Sequence, residues 1–175
     1  LSVADIQAGI EEACGIASVS IDTDTLSCNN LGSNNLVTLT AVDVNGNSST
    51  CLSTVTVVDT TAPRAVCLPL VSVILGGDGT GLLAAQAADN GSFDNCSIAG
   101  FSLSQSSFSC ADVGLNDATL TVTDNSGNSD SCAVTVNVAD KSVPSATCLD
   151  IVVDLAANGQ VSIEPAQVND GSTDN

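Results

Sequence analysis

The sequence contains no histidine, tryptophan, tyrosine or methionine, and three phenylalanines are its only aromatic side chains. Without histidine, the usual general base near neutral pH is missing, and so are the Ser-His and Cys-His pairs of nucleophilic enzymes. A zinc site would need only cysteine or carboxylate ligands, and no C-x₂₋₄-C spacing occurs. We therefore predict that the chain is not an enzyme.

Positive charge is also nearly absent, because Arg64 and Lys141 are the only basic residues against twenty acidic ones, and the formal net charge is -18. Nucleic acid and anionic membranes are poor partners for such a chain, since binding their phosphates requires clustered lysine and arginine. No apolar run reaches the ~18 residues of a membrane span, so membrane insertion is not expected. Divalent cations are the natural counter-charge, because this much like charge otherwise strains a compact state.

An internal repeat of about 81 residues is the strongest signal in the chain. The segment VTLTAVDVNGNSSTCLSTVTVVDTTAP (37–63) aligns with ATLTVTDNSGNSDSCAVTVNVADKSVP (118–144), and GSFDN at 91–95 aligns with GSTDN at 171–175. We predict the C-terminal part of one repeat at 1–62, a complete repeat at 63–143 and the N-terminal part of a third at 144–175. Because the sequence starts and stops within repeats, we interpret it as a fragment of a longer protein.

Within the complete repeat, the apolar residues have a period of two. The stretches 118–124 and 132–139 alternate apolar residues with Thr or Asn, as half-buried antiparallel strands do, and DNSGNS forms the turn between them. Further short strands are expected within 64–75, 82–88 and 98–110. About six or seven short strands in this length are typical of a small sandwich, so the predicted fold class is all-β, with tandem immunoglobulin-like β-sandwiches.

The eight cysteines indicate an oxidising, extracellular setting and disulfide staples for a small core. A strand that starts at Cys132 spans roughly 27 Å before Cys148 follows, whereas a disulfide requires Cα atoms within ~7 Å. Cys67 is the better partner, because the first and last strands of such a sandwich start at the same pole. The predicted pairs are Cys14–Cys28, Cys67–Cys132 and Cys96–Cys110, with Cys51 and Cys148 bonded to cysteines outside the fragment.

Acidic and amide side chains are concentrated in the loop DNGSFDNC at 89–96, which returns as NDGSTDN at 169–175. In the predicted topology this loop, the last hairpin turn and the entering linker meet at one pole. Calcium takes six to eight oxygen ligands of these types. The candidate Ca²⁺ ligands are Asp59, Asp89, Asp94, Asn95, Asp124 and Asn128, with Asp140, Asp170, Asp174 and Asn175 as the group of the third repeat.

Turn formation and acid–base catalysis are the alternatives to calcium binding for these residues. Asp, Asn, Ser and Gly are the ordinary residues of turns. The second alternative is a catalytic acid–base pair of Asp89 and Asp94. A glycosidase normally surrounds its carboxylates with aromatic side chains, and their scarcity here argues against this alternative. In the first repeat the corresponding positions hold Gln7, Glu12 and Ala13, which weakens the cation-ligand pattern there.

The stretches VTDNSGNSDSCAVTVNVADKSVP and DNGSFDNC, with FSCADVG after them, resemble a known group of repeats. These are the immunoglobulin-like repeats, related to the hyalin (HYR) type, of giant cell-surface adhesins of the Bacteroidota. The resemblance covers essentially the whole chain. It implies an extracellular stalk or filament with adhesive use, in a group that includes gliding-motility adhesins exported by the type IX secretion system. Its partners would be neighbouring repeats and a surface polysaccharide or other adhesive target.

The linkers DTTAP and DKSVP are short and end in proline, which favours an extended array of repeats over freely jointed ones. One alternative is a self-assembling extracellular filament whose subunits are joined by strand exchange. Another is a glycan-binding immunoglobulin-like module, against which the scarcity of aromatic residues argues.

Overall fold

The computed structural model describes residues 14–175, and the chain divides into two compact units. The first unit takes in the chain up to Ala62 together with Asp94–Ser97 and Asp124–Asn128, and the second takes in Pro63–Phe93, Ile98–Thr123 and Ser129–Asn175. Two loops of the second sequence repeat thus belong to the first compact unit. The repeat limits at 62/63 and 143/144 are defined by sequence alignment and stay a prediction.

The first unit contains a three-stranded antiparallel sheet in the order β1-β2-β3. Its strands are β1 (Ile16–Ile21), β2 (Gly32–Asp43) and β3 (Ser48–Val57), and a 3-10 turn, Cys28–Asn30, precedes β2. Val37 and Leu39 are its buried apolar side chains among the residues that the structure describes. They lie two positions apart on β2, which is the spacing that brings side chains to one face of a sheet.

A β-bulge explains a one-residue difference between the first two repeats. The segment GSNN, which starts at Gly32, stands where the second repeat has the shorter GLN, which starts at Gly114. The register of β2 against β3 shifts between Gly32 and Asn35, so the extra residue is absorbed in the strand. The asparagine after the insertion keeps its role, because Asn35 Nδ2 donates to the Asn30 carbonyl at 2.6 Å as Asn116 Nδ2 does to the Asp112 carbonyl at 2.6 Å.

The second unit contains two sheets. A four-stranded sheet has the order β4-β9-β8-β6, and a two-stranded sheet pairs β5 with β7. The strands are β4 (Leu70–Ile74), β5 (Thr80–Leu82), β6 (Ile98–Leu103), β7 (Ser107–Ser109), β8 (Gly114–Asp124) and β9 (Ser129–Ala139). β4 lies parallel to β9, whereas β8 and β9 form the antiparallel hairpin that the alternating sequence predicts. The predicted all-β, disulfide-stapled immunoglobulin-like class is confirmed.

The core of the second unit follows from the two-residue period of its hairpin. Leu120 and Val122 on β8 are buried, and so are Val134, Val136 and Val138 on β9. They pack in one cluster with Val71 and Val73 of β4, which belongs to the same sheet, and with Leu75, Leu83, Ala88 and Phe108. The intervening Thr, Asn and Asp residues of the strands are more exposed, as expected for a sheet with one buried face.

The stretch 82–88 differs from the predicted strand. β5 ends at Leu82, and a 3-10 turn follows at Ala85–Ala88. The reason is compositional, since this alanine-rich stretch lacks the β-branched residues that favour strands.

A single-turn helix, α1 (Pro165–Val168), begins with proline at its first position, where the missing N–H costs nothing. In the described part of the chain, no helix has the length and apolarity needed to cross a membrane.

Cys67 and Cys132 are joined by a disulfide, as the sandwich geometry predicts. Their Cα atoms are 5.8 Å apart across a sequence separation of 65 residues. Cys132 lies on β9, next to the buried cluster, and Cys67 forms an isolated bridge with Asp89 just before β4. This bond therefore staples the start of the second unit to its last strand.

The second disulfide corrects the predicted pairing. Cys28 is bonded to Cys96, with Cα atoms 5.3 Å apart and a sequence separation of 68, so the predicted Cys14–Cys28 and Cys96–Cys110 bonds are wrong. The physical reason is that the segment Asp94–Ser97 belongs to the first compact unit and lies against the 3-10 turn that carries Cys28. Cys110 is nearer to Cys96 in sequence, but Cys28 is the cysteine that lies beside Cys96 in space. The thiols of Cys51 and Cys148 are exposed, and their pairing outside the chain stays a prediction.

Candidate metal centre

Three carboxylates converge in the first compact unit. Asp59 comes from the segment after β3, Asp94 from the loop before β6, and Asp124 is the last residue of β8. One oxygen from each lies within 4.8 Å of the others. The sequence has only two basic residues to neutralise such a group. Three neighbouring carboxylates without a compensating cation repel one another, and the repulsion strengthens as the site is shielded from water.

Asp124 is held by the hairpin turn that follows it. Its side chain is 2 % exposed. Oδ1 accepts hydrogen bonds from the backbone N–H groups of Ser126 (2.9 Å) and Asn128 (2.7 Å), and Oδ2 accepts one from Asn128 Nδ2 (2.8 Å). Burial raises the pKa of Asp124, but the hydrogen bonds from Asn128, Ser126 and Gly127 outweigh it, and the pKa lies below its ordinary value. These hydrogen bonds thus hold the Asp124 carboxylate in place and favour its charged form.

Asp94 is fixed by the two residues after it. Its Oδ2 accepts the backbone N–H groups of Cys96 and Ser97, both at 2.9 Å. Its Oδ1 is buried and has no hydrogen-bond partner. The disulfided Cys96 is therefore two residues from a carboxylate oxygen that is free to bind a ligand.

Asp59 has a similar arrangement, with one carboxylate oxygen hydrogen-bonded and the other without a partner. Its Oδ1 accepts hydrogen bonds from the Thr61 backbone N–H (3.0 Å) and from Asn95 Nδ2 (3.1 Å). The Asn128 amide reaches the backbone carbonyl of Asp59 at 3.2 Å. Oδ2 of Asp59 is buried without a partner. Asn95 and Asn128 thus donate hydrogen bonds that position Asp59, and Thr61 contributes an N–H that the sequence pattern did not single out.

The geometry suits a hard divalent cation. Two of the three carboxylates each present a buried oxygen with no hydrogen-bond partner, and an unpaired buried polar atom is costly. A cation that bound both oxygens would remove that cost and the mutual repulsion of the acids. Calcium accepts six to eight oxygens at 2.3–2.6 Å in irregular geometry, so waters and nearby carbonyls could complete the shell.

Asp89 does not belong to this cluster, although it was a predicted ligand. Its Oδ1 accepts the Ser92 N–H at 3.0 Å and its Oδ2 accepts the Gly91 N–H at 3.2 Å. Burial raises the pKa of Asp89, but the hydrogen bonds from Ser92, Gly91 and Asn90 more than compensate and lower it. Asp89 therefore shapes its own loop, which is the turn-forming role of such residues.

In the third repeat, two of the predicted residues adopt the same contact. Asn175 Nδ2 donates to Asp140 Oδ1 at 3.4 Å, which corresponds to the 3.1 Å contact of Asn95 Nδ2 with Asp59 Oδ1. The Ser142 N–H donates to Asp140 Oδ1 as the Thr61 N–H does to Asp59 Oδ1. Asn175 Oδ1 is buried without a partner. Asp174 precedes Asn175 in the position of Asp94.

Asp170 is not the counterpart of Asp89. The Ser172 N–H donates to Asn169 Oδ1 at 3.1 Å, and Asn169 forms the bridge to Cys148 that Asp89 forms to Cys67. Asp170 instead donates its backbone N–H to the Thr147 carbonyl and leaves its side chain exposed. The first-repeat positions Gln7, Glu12 and Ala13 lie outside the described residues.

Comparison with known proteins gives little further guidance. No protein-family model and no curated protein matches the chain. Among solved structures, extracellular cadherin domains 1–4 of protocadherin gamma B7 match 81% of this chain at 18% sequence identity and a TM-score of 0.34. The match spans 46% of that chain, so this sequence corresponds to less than half of it. At this level of similarity the comparison carries no functional conclusion, and function rests on the geometry of the chain itself.

Proposed function

We propose that this chain is a structural segment of an extracellular tandem-repeat protein, in which consecutive repeats are cross-linked and a calcium ion is held beside the cross-link. The Cys28–Cys96 disulfide supports this proposal most strongly, because it joins a cysteine of the first sequence repeat to one of the second. A bond of this kind persists in oxidising, extracellular surroundings. Its purpose is to keep successive repeats together under load.

The carboxylate cluster combines residues of the same two repeats. Asp59 belongs to the first repeat, whereas Asp94 and Asp124 belong to the second. A cation bound by all three would add a second, reversible connection next to the covalent one. The excess of acidic residues favours cation uptake over binding of any anionic partner.

The role that follows is mechanical and adhesive. In a repeat array each repeat contacts only its neighbours, so a covalent bond between neighbours holds them together when the array is stretched. We infer an extended stalk or filament that presents adhesive contacts at a cell surface, in line with the resemblance of its motifs to surface adhesins. A surface polysaccharide as the target, gliding and type IX export belong to this proposal. We infer no enzymatic activity, because Asp89 is engaged in its own turn, Asp94 belongs to the cluster, and histidine is absent.

Calcium dependence is tested by thermal unfolding of the oxidised chain in calcium chloride and in chelator. With free calcium at about 100 times Kd, stability should rise by about 2.7 kcal/mol, which corresponds to roughly 5–10 °C in Tm for a chain of this size. Asp94→Asn should abolish the shift, since it removes the charge next to the unpartnered oxygen but keeps an oxygen for the Cys96 and Ser97 N–H groups.

Asp117→Asn is the matched control, because it removes one negative charge from an exposed position of β8. This variant should keep the full calcium shift. Equal melting temperatures with calcium and with chelator would disprove the cation site, and an unchanged shift in Asp94→Asn would place calcium elsewhere. Isothermal titration with calcium chloride gives the number of ions bound.

A further inference from the structure

Cys110 lies in a local environment that copies that of the disulfided Cys28. Each is the first residue of a 3-10 turn, Cys28–Asn30 and Cys110–Asp112, and each turn follows a serine in a capping box. The two cysteines are equivalent by sequence repeat. Cys28 is bonded, whereas the Cys110 thiol is reduced and exposed.

The sulfur atoms of these cysteines also touch equivalent backbone atoms. Cys28 Sγ lies 3.5 Å from the carbonyl oxygen of Asn95, the residue that directly precedes its partner Cys96. Cys110 Sγ lies 3.6 Å from the carbonyl oxygen of Asn175. In the repeat alignment, Asn175 is the counterpart of Asn95. The position immediately after Asn175 is therefore presented to Cys110 as Cys96 is to Cys28.

The segment that ends at Asn175 is held as its counterpart is. The bridges Ser145–Thr173 and Cys148–Asn169 repeat the bridges Arg64–Phe93 and Cys67–Asp89. Asn175 Nδ2 is tied further by the Gly76 carbonyl and by Ser142 Oγ, both at 3.0 Å. The approach of Asn175 to Cys110 is thus supported by a network rather than by one contact.

Gly79 leaves room for this approach. A Cβ atom on Gly79 would lie 2.9 Å from Cys110 Sγ and 3.4 Å from the Asn175 carbonyl carbon, and φ at this residue is +72°. Any side chain here would therefore push against the sulfur, besides straining the backbone. The Gly79 carbonyl also contacts Cys110 Sγ at 3.6 Å.

We propose that Cys110 is the site of a second repeat-to-repeat disulfide, formed with a cysteine placed directly after Asn175 in the third repeat. This inference extends the proposed function, on which it rests. In the reaction, the two thiols lose two protons and two electrons to a small disulfide such as oxidised glutathione, which is reduced to two thiols. One S–S bond forms in the protein as one breaks in the oxidant. Each repeat would then be bonded once internally and once to each neighbour.

The test adds a single cysteine after Asn175 of the full chain and oxidises the protein in a glutathione redox buffer. Digestion without reductant, followed by mass spectrometry, identifies the partner of the added thiol. We expect a cross-link to Cys110, with Cys28–Cys96 and Cys67–Cys132 intact. Adding serine in place of cysteine should leave Cys110 reduced.

The matched variant carries the added cysteine together with Cys110→Ser, and the cross-link should be lost while the two existing disulfides form as before. Bonding of the added cysteine to Cys51 or Cys148, or a thiol that stays reduced while the existing disulfides form, would overturn the inference. Neither result would bear on the calcium test, whose readout is the melting temperature of chains that differ at Asp94. The two proposals can therefore fail separately.

Discussion

Cys28 and Cys96 are bonded across 68 residues, and the loop they close contains Cys67. Cys67 is in turn bonded to Cys132, and the loop closed by that second bond contains Cys96. The two disulfides therefore overlap in sequence. Overlapping cross-links shorten a stretched chain more than either bond does, because the load passes through both bonds and only the residues between Cys67 and Cys96.

Because the two disulfides overlap, reducing them should greatly increase the length to which a single chain can be stretched. When the oxidised chain is pulled from its ends, the stretch between Cys28 and Cys132 should reach about 250 Å less than in the reduced chain, at roughly 3.4 Å per extended residue. Force spectroscopy with and without a phosphine reductant measures this difference. The double variant Cys28→Ser with Cys96→Ser should retain a shortening of about 220 Å, since only the Cys67–Cys132 loop is then locked. Equal extension of oxidised and reduced chains would contradict the overlapping bonds.

The alternating faces of β8 predict opposite outcomes for two leucines on one strand. Leu120 is 0 % exposed in the core of the second unit, whereas Leu115 is 73 % exposed. Leu120→Ala should lower the free energy of unfolding by about 2–5 kcal/mol, because it removes apolar contact and leaves a cavity. Leu115→Ala should change it by less than about 0.5 kcal/mol. Urea unfolding of the oxidised chain measures both free energies. Similar losses would contradict burial of one face alone, and a larger loss for Leu115→Ala would show that the strand is turned the other way.

The close approach of β5 to β4 predicts that a side chain at Gly81 lowers the stability of the fold. A Cβ atom at this position would lie 2.5 Å from Val73 Cγ1 and 3.3 Å from Leu75 Cδ2. Gly81→Ala should destabilise the fold by about 1–3 kcal/mol through overpacking. The adjacent Leu82, which is 80 % exposed, provides the control, and Leu82→Ala should be close to neutral. A neutral Gly81→Ala variant in chemical denaturation would mean that the two sheets lie further apart.

Acid should weaken the turn between β2 and β3. The side-chain and backbone hydrogen bonds of Asn47 lower the pKa of Asp43 in the folded chain. The stability contributed by a carboxyl group with a depressed pKa is present above its unfolded value of 3.8 and is lost as pH falls through the folded pKa. Wild type should therefore exceed Asp43→Asn in stability at pH 7, and the gap should narrow below about pH 4.

The same comparison with Asp117→Asn separates this local effect from general charge relief, because both variants remove one charge. Urea unfolding midpoints between pH 7 and pH 2, measured in chelator, give the stability difference between wild type and each of the two variants. If the stability difference between wild type and Asp43→Asn does not narrow as the pH falls, the contribution of the Asp43 hydrogen bonds does not depend on its charge.

Local pattern alone determined much of this protein. The two-residue period and the Gly-Asn turn predicted the β8–β9 hairpin, because side-chain alternation is a property of any extended strand with one buried face. Strand length argued against a bond between Cys132 and Cys148, and the common pole of the first and last strands of a sandwich predicted the Cys67–Cys132 bond that the structure shows. The excess of acidic over basic residues, visible in the composition, predicted cations as the counter-charge, and the missing histidine argued against an enzyme.

Tertiary structure alone decided the second disulfide and the membership of the acidic cluster. Cysteine spacing is the same whether Cys96 bonds within its repeat or to Cys28, so the sequence holds no signal that separates the two. The choice depends on the position of Asp94–Ser97, which belongs to the first unit. The same placement brings Asp94 to Asp59 and Asp124 and leaves Asp89 in its own loop, five residues away in sequence but engaged with Ser92 and Gly91. Distances between side chains from distant segments are set by packing, which no local pattern encodes.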